Sequence, residues 1–460
     1  MKVAFCSSEV FPFAKTGGLA DVSGALPLAL VDKGIEVKIF MPLYKGIKPQ
    51  KMFTDFGTSK VKKGEIIFVR NDDYFFRDSL YGTPKGDYPD NLERFYFFCN
   101  RVTEVLKKIN FSPDIIHCND WQTSPLIINL KTKFKEDSFF NKTRSVLTIH
   151  NLAYQGVFDK EKFALLDLPW DYFSLNFLEF YGKVNLLKGG IIFADMVNTV
   201  SPNYAKQVQT PDFGCGLDGV LREKGNRLSG IINAIDYKVW DPKKDEFIYK
   251  KYSSAQIDNK YINKQKFQKK LGLKQNKNIF FLGMVSRLAE QKGIDIISKG
   301  LSRILKNYQV VILGLGDDRY HKILKKKEKK YRNSFSLYLK FDETLAHQIY
   351  ASCDVFLMPS KFEPCGLSQM ISYKYATVPI VHHTGGLVDT VVDYKDKGGG
   401  FVFTQYTDRA LGDAVDRAKK VFDDKKEWLA LLNKISKYNF SWERTAKRYI
   451  DMYKKCQLLP

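Results

Sequence analysis

The run Val3-Ala4-Phe5, the turn Lys15-Thr16-Gly17-Gly18-Leu19-Ala20-Asp21, the segment from Val22 to Lys33 and the run Glu36-Val37-Lys38-Ile39-Phe40-Met41 follow one another at the start of the chain. The two β-branched and aromatic runs read as strands and the segment between them as an amphipathic helix. Strand, helix, strand at this length is the repeating unit of a parallel sheet wrapped by helices. The turn lies between the first strand and the helix. Its glycines let the backbone come close to a ligand, helix-start N–H groups favour an anion, and Lys15 adds a full positive charge. A plain Gly-Gly turn is the alternative reading. The spacing is not G-x-G-x-x-G, which argues against a dinucleotide cofactor and a dehydrogenase.

The same alternation continues. Asp114-Ile115-Ile116-His117-Cys118 and Ser145-Val146-Leu147-Thr148-Ile149-His150 are apolar runs that each stop at polar residues. In sheets of this kind functional groups gather at the carboxyl ends of strands, so His117, Asn119, Asp120, His150 and Asn151 are expected on one rim. A second series follows the lysine-rich stretch from Lys243 to Lys277: Asn278 to Val285, Gln309 to Gly314 and Val355 to Ser360 are its strands. The expectation is an α/β protein of two Rossmann-like, doubly wound domains facing across a cleft. Their limits are read as 1–243 and 244–438, with 439–460 forming a last helix that opens on Ser441 as its N-cap and reaches about Lys454.

With 460 residues, 44% of them hydrophobic, the chain can bury two cores of ordinary size. No apolar run approaches the ~18 residues of a membrane span, and Met1-Lys2-Val3-Ala4 enters a strand with no cleavable leader, so a cytoplasmic protein is expected. Seven cysteines stand singly without C-x-x-C spacing, which fits a reducing compartment and no structural zinc. The formal charge of +22 suits an anionic partner, but lysine runs such as Lys325-Lys326-Lys327-Glu328-Lys329-Lys330 read first as solvated surface. Signatures of nucleic-acid modules are missing, so no nucleic-acid partner is expected.

Three turns in the second half carry chemistry. Ser286-Arg287-Leu288-Ala289-Glu290-Gln291-Lys292-Gly293 sends two cations from one strand end, able to converge on a diphosphate. Ser360-Lys361-Phe362-Glu363-Pro364-Cys365-Gly366-Leu367-Ser368 places a carboxylate suited to sugar hydroxyls beside a turn that opens a helix. Thr384-Gly385-Gly386-Leu387-Val388-Asp389 repeats the Gly-Gly pattern. Each is modest alone, since Arg and Lys at a turn are ordinary surface residues and Glu363 can be a simple first-turn acid. Three such turns at equivalent strand ends point to a nucleotide sugar.

Taken with Asn119-Asp120-Trp121-Gln122, Thr148-Ile149-His150-Asn151-Leu152-Ala153-Tyr154-Gln155-Gly156, Asn198-Thr199-Val200-Ser201-Pro202 and Phe213-Gly214-Cys215-Gly216-Leu217-Asp218-Gly219, these motifs resemble the bacterial glycogen synthase and plastid starch synthase family along essentially the whole chain. The resemblance implies a GT-B fold with the final helix crossing back to the first domain. It implies transfer of glucose from ADP-glucose to the non-reducing end of an α-1,4-glucan with retention of configuration. On it, Arg287 and Lys292 hold the leaving phosphates, His150 contacts the transferred glucose and Glu363 binds that sugar's hydroxyls; these four are the catalytic candidates. Lys15, Gly17, Gly18, Phe341, Cys365, Gly366, Leu367, Thr384, Gly385, Gly386 and Leu387 fall on the donor side, the last turn by placing backbone N–H groups at the phosphates. Asp21, Asp120 and Asn151 fall on the acceptor side.

Four departures from the family pattern stand out. Phe341 replaces the tyrosine whose ring stacks on the base, Ala234 replaces the glycine of N-G-I-D, His383 stands for an arginine and Gln122 for a histidine. No D-x-D pair occurs, so no metal or other cofactor is expected; the cations take magnesium's place. A related transferase using UDP-glucose or another acceptor, such as sucrose or a lipid, and a non-catalytic basic scaffold for nucleic acid or glucan are the rival readings. Oligomeric state is open.

Overall fold

The computed structural model describes residues 1–62, 64–83 and 85–459. The chain forms two compact units, one of Met1–Asn233 together with the segment from Trp442 onward, the other of Ala234–Ser441. Residues 234–243, read from sequence as the end of the first domain, group with the second unit.

In the first unit seven parallel strands come in chain order: β1 (Lys2–Cys6), β2 (Glu36–Pro42), β3 (Gly64–Val69), β4 (Ile115–Asn119), β5 (Arg144–Ile149), β6 (Met196–Thr199) and β7 (Leu228–Gly230). They lie in the order β7-β6-β5-β4-β1-β2-β3, and Phe56–Val61 extends the sheet antiparallel beyond β3. The order therefore reverses between β1 and β4, the position at which such sheets open a crevice at their carboxyl ends. Val3, Ala4, Phe5 and Cys6 are fully buried, as a strand covered on both faces requires.

The first helix runs Gly18–Val31, beginning inside the Gly-Gly turn and ending before Gly34, whose φ of +84° takes the left-handed turn. The helix Asn91–Lys108 buries Leu92, Phe95, Phe98, Val102 and Val105, the spacing of one helical face. The last helix spans Trp442–Gln457, three residues further than the sequence reading. It packs on the first helix and on β5, burying Tyr449, Tyr453 and Cys456.

The second unit is a sheet of parallel strands: β8 (Phe281–Val285), β9 (Gln309–Leu313), β10 (Phe335–Tyr338), β11 (Val355–Met358), β12 (Val378–His382) and β13 (Phe401–Phe403). Their order is β10-β9-β8-β11-β12-β13, so the reversal lies between β8 and β11. The lysine-rich lead-in contains a helix, Asp258–Lys270, that is not all surface. Lys264 is buried against Asp354 at 2.6 Å, and the buried Lys260 donates to the carbonyls of Tyr350, Ala351 and Tyr375 and to Thr377 Oγ1. The other lysine run behaves as read: Lys325, Lys326, Lys329 and Lys330 are exposed on the helix Asp318–Lys330. Among the described residues no helix is long and apolar enough to cross a membrane.

Candidate functional site

In the second unit the reversal point is flanked by the turns after β8 and β11. Glu363, only 6% exposed, receives Lys292 Nζ at 2.6 Å and the Ser360 hydroxyl at 2.9 Å, both on Oε2. Gly293, at φ +76°, closes the turn after β8; a Cβ there would sit 2.1 Å from the Pro359 carbonyl, so glycine is what lets Lys292 approach β11. Arg287 is exposed on the same turn and donates to Gln291 Oε1 at 3.0 Å. Of the two predicted cations, the structure thus brings Lys292 to Glu363 and leaves Arg287 at the surface of its turn.

The Thr384–Leu387 turn is packed against the Glu363–Gly366 turn backbone to backbone. A Cβ on Gly385 would lie 1.8 Å from the Glu363 carbonyl oxygen, and one on Gly386 would lie 2.5 Å from Cys365 Cα. The amides of Thr384, Gly386 and Leu387 donate to the carbonyls of His382, Glu363 and Thr384. In this turn these three N–H groups thus face carbonyls of the chain itself. Its glycines serve to seat Glu363, while the buried Thr384 hydroxyl lacks a partner among the described residues. Gly366, at φ +75°, and Cys365 are held by Gln369 Nε2, which donates to both carbonyls, and Leu367 leads into the helix Ser368–Lys374. Phe341 stands 76% exposed just before Asp342, whose carboxylate caps the helix Glu343–Ser352.

In the first unit the rim at the ends of β4 and β5 holds four of the predicted residues together, Asn119, Asp120, His150 and Asn151. Asp120 has the left-handed φ of 58°, and its carboxylate accepts the backbone N–H of His150 at 2.7 Å and that of Asn151. Burial raises its pKa to about 7 against the pull of those amides, and the charge of Glu9 adds to the rise. His150 Nε2 lies 2.9 Å from Asn119 Oδ1, and the Asn119 amide nitrogen donates to the Cys6 carbonyl. That second bond orients the amide, so His150 carries its proton on Nε2 and offers Nδ1 as an acceptor. Burial lowers the His150 pKa to about 3, which keeps the imidazole neutral.

Lys15 pairs with Asp21 at 2.7 Å and lies over the Phe11 ring. Gly17 is extended at φ −156°, and a Cβ there would meet nothing within 4 Å. One functional-rim candidate fails: His117 is fully buried, its Nδ1 2.6 Å from Tyr453 Oη and its Nε2 2.8 Å from Thr148 Oγ1. It sits two residues before the strand end, and on that face the last helix covers it. Sequence reading also passed over Glu9, which is buried three residues beyond β1 and accepts bonds from the Thr16–Gly17 backbone. A carboxylate in the loop that leaves the carboxyl end of a buried strand was the available signal. Among the described residues no group of three or more His, Cys, Asp or Glu side chains is placed to share a metal ion.

Residues 2–223 match the family model of the starch synthase catalytic domain, and residues 263–442 match that of glycosyl transferases group 1. The chain is 44% identical over 476 residues to a glycogen synthase of Geotalea uraniireducens, covering 99% of this chain and 98% of that one. It is 42% identical over 484 residues to a glycogen synthase of Thermotoga maritima, covering 99% of each. Among solved structures, the catalytic domain of starch synthase IV from Arabidopsis thaliana bound to ADP and acarbose superposes with a TM-score of 0.91 at 30% identity over 99% of both chains. A sucrose-phosphate synthase of Thermosynechococcus elongatus, at TM-score 0.64 and 17% identity, shares the fold alone. With relatives above 40% identity end to end and a starch synthase superposing over the whole chain, the chain belongs to the glycogen and starch synthase family and is a glycosyltransferase.

Proposed function

We propose that the chain transfers glucose from ADP-glucose to the non-reducing end of an α-1,4-glucan, with retention at the anomeric carbon and without a metal ion. The observation that carries this reading is the Lys292–Glu363 pair, 2.6 Å apart at the strand-order reversal of the second unit. An ammonium has three N–H donors, so Lys292 can hold Glu363 and still address a phosphate. Glu363, oriented by that cation and by Ser360, can take the hydroxyls of the glucose being moved. The starch synthase that resembles this chain was solved with ADP, which favours ADP-glucose as donor.

On this reading Arg287 and Lys292 stabilise the negative charge that grows on the departing diphosphate, and Lys15 adds to them. Phe341 offers its exposed ring to the base. His150, neutral and with Nδ1 as acceptor, takes a hydroxyl of the donor glucose, and Asp21, Asp120 and Asn151 serve the glucan. The bond from the anomeric carbon to the diphosphate oxygen breaks while the acceptor hydroxyl bonds the same face, and the acceptor's proton passes to the departing phosphate. The missing D-x-D pair and the two cations support independence from metal.

A donor-competition assay tests the proposal. Purified protein given glycogen and labelled ADP-glucose should incorporate label that equal unlabelled UDP-glucose does not dilute, with full activity in excess EDTA. Efficient competition by UDP-glucose would reassign the donor, loss of activity in EDTA would reinstate a metal, and a trapped covalent glucosyl-enzyme would rule out the same-face route. The proposed setting is the cytoplasm, with the nucleotide sugar and the glucan as partners.

A further inference from the structure

Glu9 belongs to neither of the groups assigned above, yet it is the most heavily bonded carboxylate of the first unit's rim. It lies three residues past the end of β1, is 3% exposed, and receives four donors. Thr16 Oγ1 at 2.6 Å and Tyr81 Oη at 2.7 Å bond Oε1, while the backbone N–H groups of Thr16 at 2.5 Å and Gly17 at 3.4 Å point at Oε2. Ser8 Oγ in turn lies 2.8 Å from the Tyr81 hydroxyl, and the Glu9 backbone is pinned by the Ser7 hydroxyl, which donates to its carbonyl at 2.8 Å.

A carboxylate has about four lone-pair sites, and here all are taken, so Glu9 has no capacity left for a substrate hydroxyl or proton. What it does hold is the Thr16–Gly17 backbone. The amides that lead into the Gly18–Val31 helix, which in the sequence invited an anionic ligand, already have an anion of the chain's own. That leaves the ammonium of Lys15, one residue before the bonded pair, as the turn's contribution to a phosphate.

We infer that Glu9 is a positioning residue: it is a built-in anion that holds the Lys15–Gly18 turn so that Lys15 meets the donor diphosphate. The inference rests on the proposed role of Lys15. It accounts for an acid in a rim that must attract a phosphate, since its oxygens are already occupied by four of the chain's own donors.

The test is a double-mutant cycle on the full-length protein with ADP-glucose and glycogen. Glu9→Gln keeps the shape but supplies one acceptor oxygen where there were two, so two donors lose their partner. Donor kcat/KM should fall about tenfold while the KM for glycogen stays within about twofold, and the same change in a Lys15→Ala background should cost nothing further. Tyr81→Phe, which removes one donor and keeps the charge, should give a fall of about twofold to threefold that also vanishes in the Lys15→Ala background; it carries the test if Glu9→Gln does not fold. Additive losses in the double variant, or a loss confined to the glycogen KM, would overturn the role of Glu9 alone. If Lys15→Ala leaves donor kcat/KM unchanged, the Lys15 assignment falls, and the positioning role falls with it.

Discussion

The two kinds of glycine in this chain separate ligand approach from backbone packing. A Cβ on Gly17 meets open space at an extended φ, so the fold itself does not demand glycine there. Gly17→Ala should keep the melting temperature within about 1 °C, as a change without steric conflict does, yet lower donor kcat/KM if the diphosphate comes against that backbone. Gly385 is the opposite case. Its φ of +49° and the 1.8 Å approach to the Glu363 carbonyl mean that Gly385→Ala should destabilise the second unit by more than about 2 kcal/mol and release Glu363 from its seat. Thermal denaturation alongside initial rates distinguishes the two. The Lys292–Glu363 pair makes a further prediction at this scale. Lys292→Gln leaves a buried carboxylate without its cation and should lower kcat by about a hundredfold or more, the cost of losing one stabilising charge at a developing anion. Circular dichroism should show the fold retained.

Between residue and molecule lie the elements, and the last helix shows most about them. The helix Trp442–Gln457 closes the core of the first unit through Tyr449, Tyr453, Met452 and Cys456. His117 Nδ1 bonds Tyr453 Oη under that helix, and the Asn198 amide donates to Tyr449 Oη at 3.3 Å. Tyr453→Phe leaves a fully buried imidazole nitrogen without a partner and should cost about 1–3 kcal/mol in urea unfolding. The sequence marked this helix by its N-cap pattern and amphipathic spacing, yet it pointed to His117 as a rim residue. Periodicity tells which residues of a strand are buried together; it does not tell which later element covers them.

Across the whole molecule, buried titratable groups couple stability to pH. Burial holds His117 and His150 at a pKa of about 3, so each is neutral in the fold and takes up a proton on unfolding between about pH 3 and its ordinary 6.5. Asp120, raised to about 7, runs the other way: it holds a proton in the fold that it releases on unfolding above its ordinary 3.8. Depressed histidines contribute stability above pH 6.5 that is lost on acidification, whereas the raised carboxyl contributes stability below 3.8 that is lost as pH rises through 7. Between about pH 4 and 6.5 the two histidines take up two protons and Asp120 releases one, so these three groups together contribute a net uptake of about one and a loss of stability as pH drops through that window. Calorimetry in buffers of different ionisation enthalpy should read that net uptake. Replacing Asp120 by Asn should raise the measured uptake by about one, and an unchanged value would show that the carboxyl is ionised in the fold.

Much of the architecture was legible beforehand because it rests on local rules. Apolar runs of four to seven residues, separated by helical spacing, identify β1, β2, β4, β5, β8, β9 and β11 to within a few residues, since a strand buried on both faces can hold little else. The turns that end on Lys15, Lys292 and Glu363 were legible for the same reason: a strand's carboxyl end is where side chains can reach a ligand. Only the tertiary structure decided which rim groups meet. It turned the Gly386 and Leu387 amides to the carbonyls of Glu363 and Thr384, set Lys292 rather than Arg287 against Glu363, and closed the Lys15 turn with the carboxylate of Glu9. Lys292 and Glu363 stand 71 residues apart and meet only through the sheet, while Glu9 and Thr16 are close in sequence but bond only because the loop between them folds back; each bond depends on ångström-scale placement that no local pattern of residues contains.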